Sequence, residues 1–143
     1  MTCSIQDVLK HYEYDPSIVQ RVGKRTFEKL PLQIEPPDPA WPQQFQTLKS
    51  IIQEALGHKA LSISHVGSTA VPNLPAKAII DIDLTVPDPT AEATYIPALE
   101  SKGFQFLTRE PTCQASNYER MAYYARGRQR AICTNEDGSD GKE

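Results

Sequence analysis

Two aspartates separated by a single isoleucine, Asp81 and Asp83, sit inside the most strand-like run of the sequence, "AIIDIDLTV". A strand turns residues i and i+2 to the same face about 7 Å apart, so the two carboxylates converge on a volume suited to a hard divalent cation. Mg²⁺ takes carboxylate oxygens, keeps several waters and often shares the rest of its shell with substrate phosphates. The solvent face of an edge strand also carries charges, and the D-I-D spacing by itself leaves both readings open. A short way upstream, "HVGST" ends a strand in a sharp break. Such a turn presents backbone N–H groups at Gly67, and the hydroxyls of Ser68 and Thr69, to an anion. Lys77, just before the acidic strand, adds a positive charge near that anion or is simply an exposed loop lysine. A phosphate grip beside a cation grip is the minimum apparatus for handling a nucleoside triphosphate.

The elements that would position these groups are legible from periodicity. Apolar residues at 41, 45, 48, 52 and 55 follow the spacing of one helix face, with Pro42 in the first turn and Gly57 as the C-terminal cap. "ALSISHV" alternates Leu61, Ile63 and His65 against Ser62, Ser64 and Val66, the two-residue period of a half-buried strand. His65 thereby shares parity with apolar residues, which favours a buried, hydrogen-bonded ring over a catalytic base. In the acidic strand, Ile80, Ile82, Leu84 and Val86 point one way and Asp81, Asp83 and Thr85 the other. "DPTAEATYIPALESKGF" reads as a helix closed by Gly103 with Pro97 as a defect, and "FQFLT" as a third strand. Two weakly amphipathic helices are expected over residues 4–12 and 17–30, and a short edge strand over residues 32–35 in a proline-rich stretch. After Pro111 no apolar period is sustained, and a poorly ordered tail is expected. The chain thus divides into a helical extension over residues 1–31, an α/β core over 32–110 and a divergent tail over 111–143.

Composition narrows the function classes. With 143 residues, a net charge of −3 and 23% charged residues, the chain suits one modest core and has no general attraction to nucleic acid. The basic stretch from Arg120 to Arg130 is too short to reverse that balance. Three widely spaced cysteines, Cys3, Cys113 and Cys133, fit neither a disulfide framework nor a paired-ligand zinc site, and point to free thiols in a reducing compartment. No apolar run approaches the ~20 residues needed to cross a bilayer, and the N-terminus lacks the plan of a signal peptide. The expectation is a cytoplasmic protein without a membrane partner.

The stretch "HVGSTAVPNLPAKAIIDIDLTV" resembles the signature of the GrpB-type, UPF0157-like family, a branch of the nucleotidyltransferase superfamily, whose pattern runs H-[IV]-G-S-T-[AS]-V-P-G-L-x-A-K-P-I-I-D-I. Upstream, "DPAWPQQFQTLKSIIQEAL" is similar to the family's D-P-x-W-x-x-x-F and following helix; downstream the likeness reaches "ALESKGFQFLTRE". The resemblance implies a nucleotidyltransferase-like mixed sheet flanked by helices, phosphate contacts at Gly67 and Ser68, and Mg²⁺ on Asp81 and Asp83. The implied reaction is Mg²⁺-dependent transfer of a nucleotidyl group from a nucleoside triphosphate to an acceptor. Members fused to dephospho-coenzyme A kinase point to nucleotide metabolism. Asn73 stands where the family has glycine, and Ala78 where it has proline. Asparagine tolerates left-handed backbone, so the first change is mild.

The resemblance also implies later strands with an H-x-H segment and a third acidic position, whereas this chain has no histidine after His65. Glu119 and Glu136 are candidates for the acid by composition only. A fold incomplete at the C-terminus follows, with an exposed sheet edge near residues 104–108 prone to self-association. The alternative to an enzyme is therefore an inactive or truncated fragment of the fold that binds nucleotide or a protein partner.

Overall fold

The computed structural model describes residues 20–24, 33–110, 120–125 and 129–134. Its first long element, helix α1 (Trp41–Leu56), buries Trp41, Phe45, Leu48, Ile52 and Leu56 along one stripe. Pro42 fits the first turn, where its missing N–H has no intrahelical partner to lose. Gly57 ends the helix with φ of 56° and donates its N–H to the Gln53 carbonyl. Each of those buried side chains contributes about 1.5–3 kcal/mol relative to exposure, so the stripe rather than helix propensity holds α1 in place.

That stripe packs on a six-stranded mixed sheet. In chain order the strands are β1 (Gln20–Arg21), β2 (Ile34–Glu35), β3 (Ser62–Val66), β4 (Ala76–Lys77), β5 (Ile80–Thr85), β6 (Gln105–Glu110), β7 (Arg120–Ala125) and β8 (Gln129–Thr134). The main sheet runs β1-β6-β7-β8-β5-β3, while β2 and β4 form a separate antiparallel ribbon. Among the described strands of this sheet only β5 and β8 pair in parallel; the other neighbours are antiparallel. A short helix α2 (Ile96–Ser101) packs on α1 and β6. One core joins the α1 stripe to Ile80, Ile82, Leu84 and Val86 of the β5 segment and to Ile96, Leu99, Phe104 and Phe106. Both helices therefore cover one sheet face, and no helix among the described residues covers the other.

Several expectations are corrected. The helix expected over residues 17–30 is absent from its described part: Gln20 and Arg21 pair with Arg109 and Thr108, and the Val22 N–H reaches the Leu107 carbonyl at 2.9 Å. Weak amphipathy gives way there to sheet pairing, at a site so close that a Cβ on Gly23 would collide with the Phe106 carbonyl oxygen. The helix expected over residues 4–12 lies outside the described residues. Pro97 is no defect: it occupies the first turn of α2, and the preceding stretch is a 3₁₀ turn over Glu92–Thr94. In β6 a register shift between Phe106 and Thr108 lets adjacent Phe106 and Leu107 both be buried.

The largest correction concerns the segment after Pro111, expected to be irregular. β7 and β8 lie inside the sheet, between β6 and β5. Their backbone register links positions that no local window displays: Ile82 is registered against Ala131, Ala131 against Tyr123, and Tyr123 against Phe106. The exposed edge expected at β6 is accordingly absent, because β6 is paired on both sides. Among the described residues the outer strands of this sheet are β3 and β1.

Candidate functional site

The acidic pair occupies the sheet face opposite the core. Ile80, Ile82 and Leu84 are 1%, 1% and 0% exposed among the core residues, and the alternating positions Asp81 and Asp83 project the other way. Asp81 is buried and Asp83 half-buried. Register brings Val66 and Arg130 beside Asp81, and Ser64 and Ile132 beside Asp83. The strand parity of Ser64 signalled its share in this face; nothing in the sequence signalled Arg130, whose position depends on a pairing between distant segments.

The Gly67–Ser68 turn closes over the first carboxylate. Gly67 has φ of 77° and ψ of −170°, a region essentially restricted to glycine. A Cβ there would lie 2.5 Å from Asp81 Oδ2 and 3.1 Å from Asp81 Cβ. Glycine is thus required twice, by dihedral angle and by the lack of room. Ser68 is exposed at the start of a single 3₁₀ turn, Ser68–Ala70. Turn and acidic strand, separate in the sequence, are in van der Waals contact.

Thr69 departs from its expected role. It is 3% exposed, and its hydroxyl donates to the Ile79 carbonyl at 2.8 Å. The single hydroxyl proton is spent inward, so Thr69 does not present a donor to an anion on the open side. His65 Nε2 lies 3.0 Å from the same oxygen, and the imidazole stacks on the Phe45 ring at a centroid distance of 4.9 Å and an interplanar angle of 13°. Burial lowers the His65 pKa from its ordinary value, and the nearby Asp81 carboxylate opposes that shift without reversing it. The half-buried, hydrogen-bonded imidazole matches the reading from strand parity. Lys77 is exposed on β4, where it pairs with Ile34 across the ribbon. Asn73 adopts φ of 59°, the left-handed conformation that its place in the sequence motif suggested.

The donor set bears on which cation arrangement fits. Two carboxylates on one face suit a single hard cation whose remaining ligands are waters and phosphate oxygens. The strands on either side of β5 contain no aspartate or glutamate: β3 reads SISHV and β8 reads QRAICT. Among the described residues no group of three or more His, Cys, Asp or Glu gathers as a metal cluster. A three-carboxylate, two-metal arrangement therefore does not fit these strands, whereas a single cation held by the pair does.

A mixed sheet with helices on one face and a glycine turn pressed on a paired-carboxylate strand defines the class. The family profile described as GrpB protein matches residues 31–140, and the chain belongs to the GrpB family. That match runs through β7 and β8, beyond the likeness recognised up to Glu110. A UPF0157 protein of Halalkalibacterium halodurans is 51% identical over 74 residues, which are 52% of this chain and 38% of that relative. A dephospho-CoA kinase of Mycolicibacterium paratuberculosis is 40% identical over 89 residues, 60% of this chain and 22% of the kinase. The chain thus spans well under half the length of either relative. The crystal structure of the conserved protein GrpB from Enterococcus faecalis superposes with a TM-score of 0.60 at 23% identity, over 75% of this chain and 64% of that one, a likeness of fold. No described helix is long and apolar enough to cross a membrane.

Proposed function

We propose that the chain binds a nucleoside triphosphate together with one Mg²⁺ at Asp81, Asp83 and the Gly67–Ser68 turn, and transfers its nucleotidyl group to an acceptor hydroxyl. The observation that carries this reading is the contact of Gly67 with the Asp81 carboxylate. An anion held at that turn would lie beside a carboxylate, and a cation bound with it would relieve the repulsion. Nucleotide and cation binding are therefore coupled. Asp81 and Asp83 would hold the cation, Ser68 would offer its exposed hydroxyl to a phosphate oxygen, and Lys77 would add positive charge to the approach.

Bound Mg²⁺ would neutralise charge on the phosphates and polarise the α-phosphorus. The acceptor oxygen forms a bond to that phosphorus, the bond to the bridging oxygen of the β-phosphate breaks, pyrophosphate leaves, and the hydroxyl proton passes to water. The acceptor is a hydroxyl-bearing molecule that the site leaves unspecified.

A second reading, a module that binds nucleotide or a protein without transfer, is favoured by the lack of a carboxylate on β3 and β8. Calorimetric titration of ATP, GTP, CTP and UTP with and without Mg²⁺, followed by a pyrophosphate-release assay, separates the readings. Metal-dependent binding lost in folded Asp81→Ala and Asp83→Ala supports the site, and pyrophosphate release supports transfer. Binding unchanged in both variants, or silence with all four nucleotides, refutes it.

A further inference from the structure

Gly67 poses a contradiction. The contact with Asp81 demands glycine, yet glycine is the residue least able to hold a turn in one conformation. The order must come from its neighbours. We infer that His65 and Thr69 are positioning residues, joined in a hydrogen-bonded clamp that sets the Gly67–Ser68 turn against Asp81.

The direction of each bond follows from proton counting. A threonine hydroxyl has one proton, and Thr69 donates it to the Ile79 carbonyl at 2.8 Å. The 3.0 Å contact between His65 Nε2 and Thr69 Oγ1 is then a bond donated by Nε2–H. The neutral ring is held as the Nε2–H tautomer, and stacking on Phe45 fixes its plane.

The covalent path explains what the clamp controls. His65 lies in β3 and Thr69 in the turn, with only Val66, Gly67 and Ser68 between them. A side-chain bond across those ends closes a small ring around the turn. Thr69 in turn ties that ring to the residue preceding β5, two positions before Asp81. Helix α1, strand β3, the turn and the start of β5 are connected through two side chains, neither of which needs to touch substrate. This assignment rests on the reading of the turn as an anion site only for its functional consequence. The clamp itself is a property of the fold.

The experiment compares Thr69→Val, which keeps shape and removes the hydroxyl, with Thr69→Ser, which keeps the hydroxyl. Amide hydrogen exchange at Ala70 and Val71, whose N–H groups donate to the Gly67 and Ser68 carbonyls, is measured by NMR against Ile82, whose amide reports global unfolding, and MgATP affinity is titrated in parallel. A lost buried hydrogen bond corresponds to about a tenfold change. Thr69→Val should therefore raise exchange at Ala70 and Val71 about tenfold more than at Ile82 and weaken MgATP about tenfold, with Thr69→Ser near the parent. The ¹⁵N pattern of His65 should report Nε2–H.

Equal acceleration at all three amides, no difference between Val and Ser, or an Nδ1–H tautomer overturns the clamp. If Thr69→Val does not fold, His65→Phe, which keeps the stack on Phe45 and removes the donor, decides by the same exchange ratio. A parent that ignores MgATP while its turn loosens selectively in Thr69→Val refutes the proposed function and keeps the clamp. A parent that binds MgATP, with a Val variant identical to it, does the reverse.

Discussion

On one face of β5, Ile80, Ile82 and Leu84 are 1% exposed or less; on the other, Asp81 keeps 9% of its surface and Asp83 is half-buried. Both faces come from alternate residues of six consecutive positions, Ile80–Thr85. The apolar face needs volume, and residues of similar size and shape satisfy it at modest cost. The acidic face sets the Asp81 carboxylate directly against the Gly67 backbone, and the proposed site depends on that spacing. Stability is thus concentrated on one side of the strand and the proposed chemistry on the other, and substitutions on the two sides should fail in different ways.

The largest expected effect lies on the apolar face. Leu84→Ala leaves a cavity where the side chain was fully buried, and should lower unfolding free energy by about 2–5 kcal/mol, read by urea denaturation. A loss under about 1 kcal/mol would break the division of labour, because the core would then be loosely packed at its centre. Next comes Gly67→Ala on the acidic side. Its Cβ would meet Asp81 Oδ2 at 2.5 Å in a left-handed conformation, and the summed strain and overpacking cost about 2–4 kcal/mol. Unlike Leu84→Ala, any folded fraction should also have lost Mg²⁺-dependent nucleotide binding. Retained binding would detach the turn from the site.

Smaller effects sharpen the contrast between backbone and side-chain requirements. Asn73, at φ of 59° and exposed, should accept glycine almost neutrally, whereas Asn73→Val costs about 1–2 kcal/mol because a β-branched residue resists left-handed backbone. Equal stability of the two variants in thermal melts would remove the conformational explanation. The smallest effect is pH dependence. Burial depresses the His65 pKa in the folded state, so below about pH 6.5 the unfolded chain binds the proton more readily. This contribution is fully present above that pH and is lost progressively as pH falls toward and through the folded pKa. Stability against pH should flatten over this window in folded His65→Phe; an unchanged slope would assign the dependence to other groups.

Much of the geometry of the candidate site is legible in the sequence. The parity of "AIIDIDLTV" separates core from carboxylates, and the break after Val66 marks the glycine turn. Asn73 in a family glycine position anticipates a positive φ. Thr69 was misread because its hydroxyl is chemically identical to that of Ser68 in sequence, and only burial and the Ile79 carbonyl distinguish them. Pro97 was misread because the same residue interrupts a helix or begins one according to where the helix starts.

Local pattern determined α1, β3 and β5, since each carries a complete apolar period within a few turns or a few residues of its own chain. It also determined that Asp81 and Asp83 share a face, a consequence of strand geometry alone. Tertiary structure decided the rest. β7 and β8 have no convincing period of their own, and are strands through backbone pairing of β8 with β5 and of β7 with β6 and β8. The contact between Gly67 and Asp81 and the placing of Arg130 beside the acidic strand belong to the same category. The physical reason is that a strand gains half its hydrogen bonds and most of its packing from neighbours distant in sequence, so its stability is not encoded in the segment that forms it.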